Sequence, residues 1–244
     1  LFGFHGQTSF HDMKKKISIQ LGNGRLLSEK TNCKVVFDFR SQDIQNGGEG
    51  APLAPIYHQY ILNKLFGKTA ACMINIGGVS NLSYVSNELV SGFDTGPGCG
   101  LMDEYMQKNF NKHFDEHGTI ASFGIPNQKI IKKIMNDSFF KKPPPKSIDK
   151  FQFKHIFEDK EFLKLNVFDG MATLCNLTAD TISVALQELN PLPKAVLISG
   201  GGRHNNLLLT LIKNKTNSNI FKIDDYNFDG DFVESELIAY LAAR

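Results

Sequence analysis

The sequence predicts an α/β protein built on a mixed sheet. Short β-type apolar runs alternate with segments of helical periodicity along the chain. Two of those runs, "NLSYVS" and "LVSGFD", follow "AACMINIGG" at hairpin-like spacing, which predicts antiparallel neighbours. A later run, "KAVLISGGG", passes through glycines directly into a helical pattern. Antiparallel strands, then helices, then strand–glycine–helix suggest a mixed rather than a purely parallel sheet.

The opening "LFGFHG" has the apolar-glycine pattern of a strand's end, and "CKVVFDF" (Cys33–Phe39) reads as a buried strand. "AACMINIGG" (Ala70–Gly78) reads as another, followed by the hairpin-spaced pair. Helical periodicity then runs through "GLMDEYMQKNFNKHF" and "VFDGMATLCNLTADTISVALQELN". Between them "FFKKPPPKSIDKFQF" (Phe139–Phe153) is a loop, because three successive prolines hold neither helix nor central strand. "KAVLISGGG" (Lys194–Gly202) is the later strand, and "HNNLLLTLIKNK" and "ELIAYLAAR" are helical. No internal repeat is present in the sequence.

The 244 residues suffice for one large domain or two smaller lobes. With 41% hydrophobic and 21% charged residues the composition is that of a soluble globular chain. A formal net charge of +2 argues against a strongly electrostatic nucleic-acid binder. The four cysteines, Cys33, Cys72, Cys99 and Cys175, form no Cys-x-x-Cys pair and fit reduced, mostly buried thiols in a cytoplasm. No apolar stretch approaches the roughly 20 residues of a membrane helix, and the first residues lack the basic and apolar regions of a signal peptide. Both ends look cut: the chain opens on Leu1 and stops in a helix with no glycine cap or breaker. The expectation is a fragment of a longer protein.

Five glycine-rich turns stand out: "HGQT" (His5–Thr8), "NGGEGAPLAP" (Asn46–Pro55), "NIGGVSN" (Asn75–Asn81), "DTGPGCG" (Asp94–Gly100) and "SGGGRHNN" (Ser199–Asn206). Glycine lets backbone N–H groups approach an anion, and a following helix N-terminus adds a favourable dipole. One such turn means little, but several, two of them at strand ends, favour a nucleotide. Neither a Walker loop nor a Gly-x-Gly-x-x-Gly opening a helix is present. Asp94 begins one of these turns. A single Asp-Thr-Gly running into a helix does not make an aspartic protease, which needs two carboxylates sharing a proton. An Asx turn capping the next helix, a general base, and a carboxylate holding Mg²⁺ through water remain open.

Other features are weaker. "HFDEH" (His113–His117) sets two imidazoles four residues apart on an expected helix, without a third metal ligand in view. "DMKKK" and "FFKKPPPK" read as solvated loops, and the phenylalanines as core. No cysteine has an activating context.

Together the motifs resemble the anhydro-N-acetylmuramic acid kinase family. The stretches are "GFHGQT", "VVFDFRSQDIQNGGEGAPLAP", "MINIGGVSNLSYV", "GFDTGPGCGLMDEY", "LISGGGRHNNLLLTLI" and "GDFVESELIAYLA", in family order over nearly the whole chain. The resemblance implies a ribonuclease-H-like (actin-like ATPase) lobe with a mixed sheet flanked by helices. It assigns residues 37–244 to that lobe and 1–36 to the remnant of a first, substrate and phosphate, lobe. It implies a cytoplasmic, bacterial enzyme of cell-wall recycling that opens the 1,6-anhydro bond of anhydro-N-acetylmuramic acid with water and phosphorylates O6. ATP and Mg²⁺ would be its cofactors, the metal held by the phosphates and water; neither nucleic acid nor membrane would be a partner, and a homodimer stays open.

Carried onto this chain, the resemblance makes Asp94 the general base and Glu234 the acidic helix residue that positions water and sugar. It places His5, Gln7, Thr8, Asp38, Arg40 and Asp43 at the substrate, Arg40 facing a lactyl carboxylate. Gly77 and Gly78 fall to the nucleotide, Thr95, Gly96 and Gly98 to its phosphates, and Gly200, Gly201 and Gly202 to the adenosine. The family's first phosphate loop, Gly-Thr-Ser-x-Asp-Gly-x-Asp, has no counterpart here, and "PKSIDKFQF" lacks the usual Thr-Gly-Arg-Glu. Weak ATP binding and slow or absent phosphorylation are therefore expected of this chain by itself, along with an exposed apolar face. A non-catalytic ATP-binding or interaction module of the same fold and another sugar kinase of the superfamily are the alternatives.

Overall fold

The apolar runs Ala71–Ile76 and Ala195–Ser199 become buried strands, and Asn23, Asn127, Asp137, Asn166 and Asn205 cap the helices that follow them. A computed structural model describes residues 1–244 except Met13, Lys14, Glu88 and Lys150. The first elements are β1 (Phe2–Phe4), β2 (Gln7–Asp12), β3 (Ile17–Leu21), α1 (Gly24–Thr31), β4 (Val35–Phe37), α2 (Ser41–Gln45) and α3 (Ala54–Phe66). β1 and β4 pair in parallel, with Phe2 opposite Val35 and Phe4 opposite Phe37. β2 and β3 form a largely exposed antiparallel ribbon. Asn23 caps α1 by accepting the Leu26 N–H at 3.0 Å, and Asn32 ends it in the left-handed conformation.

The main sheet comprises β5 (Ala71–Ile76), β6 (Val79–Ser86), β7 (Leu89–Pro97), and, after α4 (Gly100–Phe110), α5 (Thr119–Ser122), α6 (Gln128–Met135), α7 (Ser138–Lys141) and α8 (Val167–Gln187), β8 (Ala195–Ser199). α9 (Asn206–Lys215), β9 (Asn219–Lys222) and α10 (Val233–Ala243) complete the chain. The strand order is β7-β6-β5-β8-β9. β6 runs antiparallel to β5 and β7, while β8 is parallel to β5 and β9 to β8. Ile74 and Ile76 of β5, Leu82 and Tyr84 of β6, Met102 and Met106 of α4, and Leu174 and Leu177 of α8 share one buried cluster. The mixed sheet expected from the sequence is present, and its meander followed by two parallel strands is the ribonuclease-H-like arrangement.

The chain separates into two units: Leu1–Tyr60 with Phe232–Arg244, and Ile61–Asp231. The division at 36/37 in the sequence reading falls within the first of these. Among the described residues no helix is long and apolar enough to cross a membrane.

Several local expectations need correction. "CKVVFDF" is not a buried strand: only Val35–Phe37 pair, on one side, with three-residue β1, and Phe37 is 41% exposed. α4 stops at Phe110 because Asn111 turns left-handed at φ 52°, so "NKHF" is not helical. His113 and His117 therefore share no helix, and His117 itself has φ 57° in a 3₁₀ turn. The prolines do hold a loop, but Phe139–Lys141 finish α7, and Phe139 and Phe153 enter the core. That stretch is anchored rather than simply solvated. Of the "DMKKK" run, Met13 and Lys14 lie outside the described residues.

Ile198 sits in a strand paired on both sides and is fully buried. Ile198→Ala is expected to cost about 2–5 kcal/mol. Urea unfolding checks this; a loss well below that range would show that the strand is not part of the folding core.

Candidate functional site

The glycine turns following β5, β7 and β8 meet at the end of the main sheet where these strands finish. The turn after β5 accepts three backbone hydrogen bonds from the turn after β7: Gly98 N–H to Gly78 O at 3.1 Å, Cys99 N–H to Gly77 O at 2.6 Å and Gly100 N–H to Gly78 O at 3.2 Å. This approach requires glycine, since a Cβ at position 98 would collide with the Gly77 carbonyl oxygen. The turn after β8 closes against the same strand end. Gly200 adopts φ 76°, and a Cβ there would strike the Asn75 side-chain oxygen. At Gly202 it would strike Ile76, with the Cys99 sulfur 3.2 Å away.

Gly78 and Gly201 differ from these packed positions: both are exposed, and nothing lies within 4 Å of where their Cβ would be. Their backbone is thus open to a ligand while the glycines around them are held. α8 supports the arrangement from below, with Thr178 Oγ1 donating to Gly98 O at 2.9 Å. Thr95 is buried, its hydroxyl donating to Ser80 O at 3.2 Å, so its side chain belongs to the turn's framework. Ligand sites in open α/β sheets lie beyond the carboxyl ends of strands, and β5, β7 and β8 all end here.

Asp94 lies within β7, opposite Asn81. It caps no helix; Cys99 is the residue preceding α4, and the Asx-turn alternative does not hold. Instead the "PKSI" segment lies along it. Asp94 N–H donates to Lys146 O at 2.9 Å, and the carboxylate accepts the Ile148 N–H at 2.9 Å. Burial pushes the Asp94 carboxyl above its ordinary range, and the Ile148 hydrogen bond only partly offsets that. A second perturbed acid, Asp103 in the first turn of α4, is raised to about 6 by burial. Cys99 is driven up to about 12 by burial and by Asp103, so its thiol is inert.

The residues assigned to the sugar belong to the first unit. β1 and β4 are parallel neighbours, and His5 and Asp38 follow their ends. Arg40 Nε lies 3.1 Å from His5 Nε2, and Arg40 Nη1 donates to Gly50 O at 2.6 Å. Asp43 accepts the Gly50 N–H at 2.7 Å. His5, Arg40, Asp43 and the "NGGEG" turn thus form one group, in which burial lowers the Arg40 pKa. Asp38, at φ 61°, accepts from the Ser41 hydroxyl at 2.6 Å. Gln7 and Thr8 are exposed on the β2–β3 ribbon, and Glu234 is exposed in the first turn of α10. Beside it, Glu236 accepts from Tyr57 Oη at 2.8 Å.

Asp103 and Arg203 are not among the residues that the motifs single out. Arg203 follows the three glycines and is 2% exposed, bonded to Gly200 O, Asp224 and Asp231. Its place in "GGGRHNN" was legible, but its burial depends on acids more than twenty residues away.

The sheet order and the clustered glycine turns define the second unit as a ribonuclease-H-like lobe. Among solved structures the chain is similar to the activator of the 2-hydroxyisocaproyl-CoA dehydratase from Clostridium difficile with bound ADPNP, 15% identical, covering 92% of this chain and 83% of that one at a TM-score of 0.47. Component A of the Acidaminococcus fermentans (R)-2-hydroxyglutaryl-CoA dehydratase is 12% identical, covering 91% and 75%, also at 0.47. The family model for anhydro-N-acetylmuramic acid kinase matches residues 1–244. A protein of that name from Pelagibacter ubique is 40% identical over 256 residues, and one from Zymomonas mobilis 35% over 247. Both alignments take in 100% of this chain, and 67% and 66% of the respective relatives. The chain belongs to the anhydro-N-acetylmuramic acid kinase family and spans about two thirds of the length of these relatives.

Two measurements check the site's physics. Asp103 has a folded pKa of about 6, above the unfolded value, so its charged form penalises folding above that pH and not below the unfolded pKa. Asp103→Asn should therefore stabilise by about 1 kcal/mol at pH 8, after discounting for partial exposure, with the gain gone near pH 4. A pH-independent difference in thermal unfolding would refute that origin. Gly98→Ala should destabilise by about 1–3 kcal/mol; unchanged unfolding would mean that the paired turns can separate at no cost.

Proposed function

We propose that this chain carries the nucleotide-binding and base-bearing part of an enzyme that opens 1,6-anhydro-N-acetylmuramic acid with water and phosphorylates O6 from ATP. The observation that carries the proposal is the meeting of three glycine turns at one sheet end, with Asp94 in the strand that feeds the central turn. Exposed Gly78 and Gly201 fit a phosphate chain and nucleoside, which need backbone free of Cβ atoms. Mg²⁺ would be held by the phosphates and water, with no direct protein ligand. When bound it neutralises charge developing on the phosphates.

Asp94 would accept a proton from the water that attacks the anomeric carbon. The bond from that carbon to O6 breaks, and the electron pair stays on O6, which attacks the γ-phosphorus and displaces ADP. The products are N-acetylmuramic acid 6-phosphate and ADP. A raised carboxyl pKa suits this role, because a stronger base takes the proton more readily. In the first unit, Arg40 beside His5 offers a guanidinium for the lactyl carboxylate, and Gln7, Thr8, Asp38, Asp43 and Glu234 are the sugar's other proposed neighbours. Such an enzyme would act in cell-wall recycling in the cytoplasm.

Asp94→Asn in the full-length protein should lower kcat by about 10²–10⁴-fold while ATP binding persists. In ¹⁸O-water the wild type should place label on the anomeric hydroxyl; unlabelled product, or near-normal turnover of the variant, would overturn the mechanism.

A further inference from the structure

Arg203 is the largest of the fully buried side chains, yet no step above uses it. An arginine is rarely buried unless its donors are met, and removing one partner leaves an uncompensated charge. Here the guanidinium joins three segments. Nη1 donates to Gly200 O at 3.0 Å, in the turn after β8, and to Asp231 at 2.9 Å. Nε donates to Asp224 at 2.9 Å, on the 3₁₀ turn Ile223–Tyr226 after β9. Asp224 also accepts the Gly230 N–H at 3.3 Å, and a Cβ on Gly230 would collide with Arg203 Nε. The backbone at Gly230 is therefore held directly against the guanidinium.

The charges agree with the geometry. Burial acts to lower the Arg203 pKa, but Asp231 and Asp224 outweigh it and the net shift is upward. The Arg203 hydrogen bond draws the Asp231 carboxyl down; Asp224 is also lowered, its burial being outweighed by Arg203 and the Gly230 N–H. Asp231 is the last residue of the second unit, and Phe232 begins the segment that carries Glu234 and Glu236. One side chain thus spans the glycine turn proposed for the nucleotide and the point where the chain leaves that unit.

We infer that Arg203 is a positioning residue for ATP. It holds the Gly200–Gly202 turn from behind and ties it to Asp231, so that the turn is preformed when the nucleotide arrives. The inference rests on the nucleotide reading above. A planar guanidinium suits the task because its fixed donors serve carbonyl and carboxylates at once, which a lysine ammonium on a flexible stem does not reproduce.

The test uses the full-length protein with ATP in isothermal titration, and steady-state kinetics with both substrates. Asp224→Asn/Asp231→Asn and Arg203→Lys should each raise the ATP Kd about tenfold, equivalent to about 1.4 kcal/mol. The KM for the anhydro sugar should stay within about twofold, given the modest energy of a single positioning contact. Asp231→Glu, which keeps the charge, should recover most of the affinity that Asp231→Ala loses. Asp231 is 65% exposed, so its variants retain the fold even if Arg203→Lys does not. An unchanged ATP Kd in the double variant, or equal losses toward both substrates, overturns the role of Arg203. A wild-type protein that takes up no ATP overturns the nucleotide reading itself, and the two failures are thereby told apart.

Discussion

Two backbone turns cross at the head of the main sheet with no side chain between them. Gly77–Gly78 offers carbonyls, and Gly98, Cys99 and Gly100 supply the N–H groups that meet them. The spacing tolerates no Cβ at position 98. Because these bonds join the end of β5 to the start of α4, they set where β7 stops and how the helix begins. The turn after β8 packs on the same strand end, and the Thr178 hydroxyl of α8 reaches the Gly98 carbonyl. Backbone groups bonded to one another leave little freedom, so the neighbouring open positions, Gly78 and Gly201, are presented by a rigid frame.

The same crossing determines the surroundings of Asp94. β7 carries the carboxylate toward the turn, and the "PKSI" segment lies alongside it, its Ile148 N–H meeting the carboxylate. Burial raises the carboxyl pKa while that single hydrogen bond restrains the rise. A carboxylate so placed is more basic than one in water. Burial also raises Asp103, to about 6, and Cys99, to about 12. The thiol is thereby silenced.

Charged residues in the first unit follow a different logic. Arg40 is held by the Gly50 carbonyl and lies against His5, with Asp43 securing the same loop through the Gly50 N–H. Parallel pairing of β1 and β4 is what brings a histidine and an arginine thirty-five residues apart into contact. In the second unit Arg203 is also met by a glycine carbonyl, but two carboxylates complete its set. Both cations have their positions specified by backbone turns.

The sequence by itself determined the mixed sheet, because apolar runs, hairpin spacing and a strand–glycine–helix order are local patterns with a 2.0 or 3.6 period. It also determined which turns hold glycine, and its motif order identified the family. Element ends were less legible: α4 stops where Asn111 turns left-handed, which removed the expected helical pair His113 and His117. "CKVVFDF" reads as buried from composition, yet its partner β1 is only three residues long and Phe37 stays exposed. Tertiary structure alone decided that Asp94 is clasped by a segment more than fifty residues away, and that Arg203 is buried between Asp224 and Asp231. Burial and its pKa shifts depend on groups distant in the chain, and spacing along a sequence carries no record of which distant groups will close over a side chain.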